Sequence, residues 1–301
     1  MIVSNIQYGL GNQLFQYAFA KRLALEKGEP LIINQRWYKD FDSASGITSR
    51  EFLLQKFNIP TAYFTSTHHE NKHWLPLRAR FIIRKLSHRW YLMLGDFEFW
   101  AFRDSGLDPV LEARRISRDI YLMGEWINYK FYEPIRAVLV NELEVNTPLT
   151  YQNKVVLKNI SLSNAVFVHI RRGDYLKKRM HDLGGICTLE YYHCGIDKIK
   201  SNTSNPEFYF FSDDLSWVKE NFGNQNNYHY VEGNEKDPVE DFRLMKACKH
   251  AIISNSTFSW WAAWLIKEEN ALIVAPNTWS KVSPELSTLL IPKHWIRITN
   301  Y

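Results

Sequence analysis

Beyond residue 165 the chain alternates short apolar runs with amphipathic stretches of helical length, and this alternation restricts the fold more than any other feature. The apolar runs fall at 165–170, 208–211, 228–231, 251–254 and 271–275. Each suits a strand, and the segments between them carry helical spacing. Parallel strands need long crossovers, so five strands separated by helices predict a doubly wound α/β sheet. The start of the chain has the same pattern. An apolar run at 2–7 leads into Gly9-Leu10-Gly11, then Leu14, Phe15, Ala18, Phe19 and Leu23 recur at helical spacing. Gly28 stops that helix, and Leu31-Ile32-Ile33-Asn34 reads as the next strand. Between 35 and 150 the pattern is less regular, with helices expected near 78–94 and 132–143. The proline and small polar residues around Thr147-Pro148 mark the expected boundary between an N-terminal domain, 1–150, and a C-terminal domain, 151–301.

Composition narrows the class. At 46% hydrophobic and 23% charged residues, disordered and collagen-like chains are excluded. The net charge of +5 is mild: it suits an anionic small ligand, and with no nucleic-acid motif beside it no nucleic-acid partner is expected. Cys187, Cys194 and Cys248 are odd in number and form no CxxC, which points to a reducing compartment rather than to disulfides or zinc. Residues 1–5 lack the charged start of a secretory signal, and the longest strongly apolar run, 260–266, falls short of the roughly 20 residues a membrane span needs. A cytoplasmic protein is expected, and the glycosylation sequons at Asn159, Asn202 and Asn255 carry no weight there. The segment 78–90 sets cations beside an apolar stripe; it reads either as a solvated surface helix or as a peripheral contact with the inner face of a membrane.

The strongest chemical signal is His169-Ile170-Arg171-Arg172-Gly173-Asp174, directly after a strand. In open α/β sheets ligands bind beyond the carboxyl ends of the strands. Two arginines placed there offer forked, permanently charged donors to a diphosphate, Asp174 can orient one of them, and His169 can hydrogen-bond a nucleotide. A surface ion pair beside a buried histidine is the structural alternative. The second signal is Gly9-Leu10-Gly11-Asn12-Gln13, where a strand turns into a helix whose free amides favour an anion. It lacks the third glycine and the acidic partner of a dinucleotide fingerprint, so NAD is not expected. The third is Ser254-Asn255-Ser256-Thr257, which can cap the following helix or bind phosphate oxygens, and the fourth is Asp213-Asp214, which can accept hydrogen bonds from a guanine edge or cap a helix. Several polar clusters at strand ends of one sheet argue jointly for a nucleotide site.

Together Gly9-Leu10-Gly11-Asn12-Gln13-Leu14-Phe15-Gln16-Tyr17-Ala18, His169-Ile170-Arg171-Arg172-Gly173-Asp174, Phe211-Ser212-Asp213-Asp214 and Asp241-Phe242-Arg243-Leu244-Met245, leading to 254–261, resemble the bacterial α-1,2-fucosyltransferases of glycosyltransferase family 11. The resemblance spans most of the chain and is weakest between 35 and 150. Tyr8 departs from it, since the family usually has a further glycine before Gly9. The resemblance implies a GT-B fold, two Rossmann-like domains facing across a cleft, with an N-terminal domain mainly for the acceptor and GDP-fucose held mainly by the C-terminal one. No metal or cofactor is implied beyond this donor substrate. By similarity, Arg171 and Arg172 contact the diphosphate, His169 and Asp213 or Asp214 the nucleoside, Ser256 and Thr257 the phosphates, and Gly11, Asn12 and Gln13 line the fucose side.

The implied reaction inverts GDP-β-L-fucose to an α-L-fucoside on the 2-hydroxyl of a galactose, in a galactose-terminated and lipid-linked oligosaccharide for O-antigen or capsule. Transfer in an α-1,3 or α-1,6 linkage, or a non-catalytic carbohydrate-binding protein, is the alternative. Asp40-Phe41-Asp42 matches the short DxD pattern of metal-dependent transferases, and His68, His69, Glu70 and His73 form a further cluster, but neither has the spacing of a specific metal site. No residue is identifiable as the base that takes the acceptor proton.

Overall fold

The computed structural model describes residues 1–39, 50–64, 96–98, 110, 119–176 and 187–300. By its contacts the chain divides into two units, Met1–Glu144 and Val145–Tyr301. In the first, β1 (Ile2–Asn5) turns into α1 (Leu10–Lys27) and β2 (Leu31–Asn34); β3 (Asp96–Glu98), β4 (Ile120–Met123) and α2 (Arg136–Glu142) follow. The strands form a parallel sheet in the order β2-β1-β4-β3. α1 is long because apolar residues at helical spacing bury Leu14, Phe15, Phe19 and Leu23, and it stops at Gly28, whose left-handed φ of 63° a side chain would disfavour. Residues 132–143, expected as one helix, form a 3-10 turn at Glu133–Ile135 followed by α2. β3 and β4 are additions to the expected pattern, and the expected helix at 78–94 lies outside the described residues.

The second unit runs α3 (Tyr151–Leu162), β5 (Asn164–Ile170), α4 (Leu189–Lys200), β6 (Pro206–Ser212), α5 (Leu215–Phe222), β7 (Tyr228–Tyr230), α6 (Pro238–Ala247), β8 (His250–Ile252), α7 (Thr257–Trp264), β9 (Ile273–Pro276), α8 (Leu286–Leu290) and β10 (Ile296–Ile298). All six strands are parallel, in the order β10-β9-β8-β5-β6-β7. The sequence pattern predicts five. The sixth, β10, escaped because its three residues are only partly covered and carry no apolar run. From β5 the chain steps outward to β7, returns to β8 and steps outward the other way, so the winding reverses between β5 and β8. That reversal opens a crevice at the carboxyl ends of these two strands.

The helices start where the sequence supplies caps. Thr150 and Thr188 accept hydrogen bonds from Asn153 N and Tyr191 N at 3.2 and 3.3 Å, and Asp214 and Asp237 accept from Trp217 N and Val239 N, both at 3.2 Å. Val168, Ile170, Phe208, Phe210, Ile252 and Val274 pack against Tyr191, Tyr192, Ile196 and Phe222 to make the core on one face of the sheet. Each such side chain contributes on the order of 1.5–3 kcal/mol through burial.

Candidate active site

Because the strands of the second unit are all parallel, their carboxyl ends share one edge, and the motifs at 169–174, 213–214 and 254–257 lie on it. β5 and β6 pair with Ile170 opposite Ser212. The residues that follow therefore meet in pairs. Arg171 Nη1 is 2.9 Å from Asp213 Oδ2, and Arg172 Nε is 3.1 Å from Asp214 Oδ2. The backbone N–H of Arg172 donates to Asp213 Oδ1 at 2.9 Å, and its guanidinium lies over the Trp217 ring at 3.8 Å. The arginine side chains retain 24% and 17% of their exposure, so they are held by protein yet open to a ligand. Asp214 performs two tasks, holding Arg172 and capping α5.

Among the described side chains, the acids on the guanidiniums come from the neighbouring strand. Asp213 and Asp214, expected to read the nucleoside, are committed to the arginines; of Asp174 only the backbone is described, opening the 3-10 turn Asp174–Leu176. Gly173 has a steric reason: a Cβ there would stand 2.5 Å from Asp213 Oδ2.

On the other side of β5, His169 Nδ1 lies 2.9 Å from Ser254 Oγ, joining the ends of β5 and β8 where the winding reverses. Burial, with the charge of Arg171 beside it, pushes the imidazole from 6.5 down to about 3. His169 is neutral at physiological pH. Ser256 stands at the start of α7 without making a side-chain cap. Asn255 corrects expectation: it is buried, its Nδ2 donates to Trp279 O at 3.3 Å, and its Oδ1 accepts from Cys187 Sγ at 3.8 Å. Its side chain secures the loop rather than facing a substrate.

The first unit brings a larger correction. Gln13 is fully buried: its Nε2 donates to Tyr8 O at 3.0 Å and Glu51 O at 2.7 Å, and its Oε1 accepts from Leu53 N at 2.9 Å. With three bonds satisfied inside the protein, it cannot line the fucose side. Gly11 is buried within the first turn of α1, and half-exposed Asn12 remains. The left-handed residue of this turn is Tyr8, at φ 67°, whereas Gly9 is extended at −77°.

Sequence reasoning missed two participants, Trp217 and Gly173. Trp217 gave no local signal, since nothing short-range reveals which ring lies beneath Arg172. Gly173 stood inside the quoted motif, but its partner Asp213 is distant in sequence. Asp241, in the 241–245 motif, accepts from Asn234 Nδ2 at 2.8 Å; burial, with Glu235, Asp237 and Glu240 nearby, pushes its carboxyl up to about 6. A cavity of about 670 Å³ lies elsewhere, beside β6 and β7, lined among others by Tyr209, Lys219, His229, Tyr230 and Glu232 and by none of the candidate residues. Among the described residues no group of three or more His, Cys, Asp or Glu is placed to hold a metal, and no helix is long and apolar enough to cross a membrane. Asp40, Asp42, His68, His69, Glu70, His73 and the segment 78–90 lie outside the described residues.

Comparison with known proteins adds to this geometry. The model of the family "Glycosyl transferase family 11" matches residues 1–298. The chain is 30% identical to an alpha-1,2-colitosyltransferase of Escherichia coli, covering 99% of each chain. It is 29% identical to the O-antigen biosynthesis glycosyltransferase WbnK of Escherichia coli, over 90% of this chain and 92% of the relative. It is 28% identical to galactoside alpha-(1,2)-fucosyltransferase 2 of Bos taurus, over 48% of this chain and 45% of the relative. Among solved structures, NodZ alpha-1,6-fucosyltransferase soaked with GDP-fucose superposes with a TM-score of 0.52 at 14% identity, covering 88% of this chain and 92% of that one. That likeness is one of fold, the GT-B type.

Proposed function

The chain belongs to glycosyltransferase family 11, and on that premise we propose that it is an inverting galactoside α-1,2-fucosyltransferase. It moves L-fucose from GDP-β-L-fucose to the 2-hydroxyl of a galactose at the end of a bacterial surface glycan such as O-antigen, at the cytoplasmic face of the membrane and without a cofactor. The observation that carries the reading is the pair Arg171 and Arg172, oriented by Asp213 and Asp214 at the sheet edge where ligands of such folds bind. As the bond from the anomeric carbon to the phosphate oxygen breaks, negative charge grows on GDP and positive charge on the sugar. Preorganised guanidiniums stabilise the departing diphosphate, a task that metal-dependent transferases give to an ion. His169, held neutral, hydrogen-bonds the nucleotide, while Ser256, Thr257 and the first amides of α7 take phosphate oxygens. The acceptor oxygen bonds to the anomeric carbon from the opposite face and loses its proton.

One test joins donor, linkage and metal. Purified protein is incubated with GDP-fucose, a panel of galactose-terminated acceptors and EDTA, and GDP release and product linkage are measured. Acceptor-dependent release in EDTA with an α-1,2 product supports the reading; release that EDTA abolishes, or another linkage, overturns it in that respect. A second donor is favoured by one observation, the match along the whole chain to a colitosyltransferase. Colitose is the 3-deoxy counterpart of fucose. A site that hydrogen-bonds the 3-hydroxyl rejects the deoxy sugar strongly, while one that packs against that carbon does not, so competition between GDP-fucose and GDP-colitose separates the two.

A further inference from the structure

Among the described residues, three that are not glycine have positive φ, and two of them close adjacent strands of one sheet: Tyr8 at 67° after β1 and Trp126 at 53° after β4. The third, Asn205, is of a type that tolerates this conformation in turns. A bulky aromatic residue does not, and its left-handed conformation persists only where the surroundings enforce it, typically at functional sites. β1 and β4 are the two central strands of the first sheet, so both residues sit at its carboxyl edge.

The surroundings of Tyr8 are chemically specific. Its ring meets Trp37, which follows β2, edge to face at 5.5 Å, and Trp37 meets Tyr38 at 4.9 Å. The backbone of Tyr8 is clamped, its carbonyl accepting from Gln13 Nε2 at 3.0 Å and from Tyr38 Oη at 2.8 Å. Burial, with the charge of Glu125 adding to it, raises the Tyr8 phenol above its usual range. Unlike Gln13 and Trp126, which are buried, Tyr8, Trp37 and Glu125 are half-exposed. Half-exposed aromatic faces suit a neutral sugar ring, whose C–H face stacks on them.

We infer that Tyr8 is a specificity-determining residue of this enzyme, a platform that with Trp37 binds a sugar ring of the acceptor glycan at the carboxyl edge of the first sheet. This rests on the transferase reading for the identity of the acceptor. The strain supplies an unusual test, because glycine relieves it while removing the ring. In the full chain, Tyr8→Gly is expected to keep or raise Tm and to leave the Kd for GDP within about twofold, while KM for a galactose-terminated acceptor rises about tenfold and kcat changes far less. Tyr8→Phe, which keeps the ring, is expected to restore most of the acceptor affinity. An acceptor KM within twofold of wild type in Tyr8→Gly overturns the inference. So does a fall in Tm accompanied by equal losses in GDP and acceptor binding, since that describes a packing residue. If the wild-type protein binds GDP but turns over no acceptor, the transferase reading fails instead. Saturation-transfer NMR with galactose-terminated glycans then tests the platform directly: binding that Tyr8→Gly abolishes supports it, and binding unaffected by the change, or none to the wild type, overturns it.

Discussion

In both units a parallel strand runs into a turn and a helix, yet the polar residues of the two turns go opposite ways. After β5 the motif side chains stay at the edge: Arg171 and Arg172 are partly open, each gripped by an acid from β6. After β1 the polar side chain that most invited a ligand role, Gln13, folds inward and braces the turn, leaving an aromatic residue at the rim. A guanidinium is too costly to bury without partners and remains where anions arrive, whereas a neutral amide can be buried once all its hydrogen bonds are met. The chain beyond a parallel strand thus carries partly open arginines in one unit and a buried amide brace in the other.

The contrast breaks most readily at Arg171. Arg171→Ala is expected to lower turnover about 10²–10³-fold while barely moving Tm, because a half-exposed ion pair adds little stability; GDP-release kinetics beside a thermal melt check both, and near-normal turnover in the folded variant would remove the central claim. Gly173→Ala probes the same pair indirectly. The new methyl displaces the Asp213 carboxylate, and a loss of about tenfold or more in kcat/KM is expected with native-like circular dichroism.

Gln13→Ala should behave in the reverse manner. It takes away the Gln13 partner of the Glu51 carbonyl and the Leu53 amide at a buried site, while the Tyr8 carbonyl keeps Tyr38 Oη, so a loss on the order of 2 kcal/mol is expected in urea unfolding, with kcat of the folded fraction little changed. A Gln13→Ala protein of normal stability but high KM for GDP-fucose would instead return the residue to the substrate.

Acid stability sharpens the comparison next. In the unfolded chain His169 takes up a proton near 6.5, but in the folded protein only near 3, so between these values the unfolded state holds more protons and stability rises with pH. The contribution of neutral His169 is complete above about 6.5 and is lost as pH falls toward 3. His169→Gln should flatten this slope by a few kcal/mol across the window. Asp241 acts with the opposite sign, its raised carboxyl contributing below 3.8 and losing that contribution as pH climbs to about 6, so Asp241→Asn should steepen the acid loss. The smallest effect is expected at Ser256. It makes no cap bond, so Ser256→Ala should change stability by less than about 0.5 kcal/mol, whereas Thr188→Ala, which removes a cap, should cost about 1 kcal/mol; a raised Kd for GDP in Ser256→Ala alone would mark its hydroxyl as a phosphate ligand.

What the sequence determined by itself is the layout. Hydrophobic periodicity marked β1, α1, β2 and five of the six strands of the second sheet because strand and helix faces are local properties, and a charged motif right after an apolar run must emerge at a strand's end. The sequence also supplied two arginines right after a strand, the residue type that suits a diphosphate. Tertiary structure alone decided the partnerships. Arg171 finds Asp213 and Arg172 finds Asp214 because β5 and β6 pair in one register, His169 is neutral because β8 and Phe258 cover it, Gln13 is buried because Glu51 and Leu53 come to meet it, and Tyr8 is forced left-handed by bonds to its carbonyl. Register, burial and strain are sums over residues far apart in the chain, and no local pattern records them.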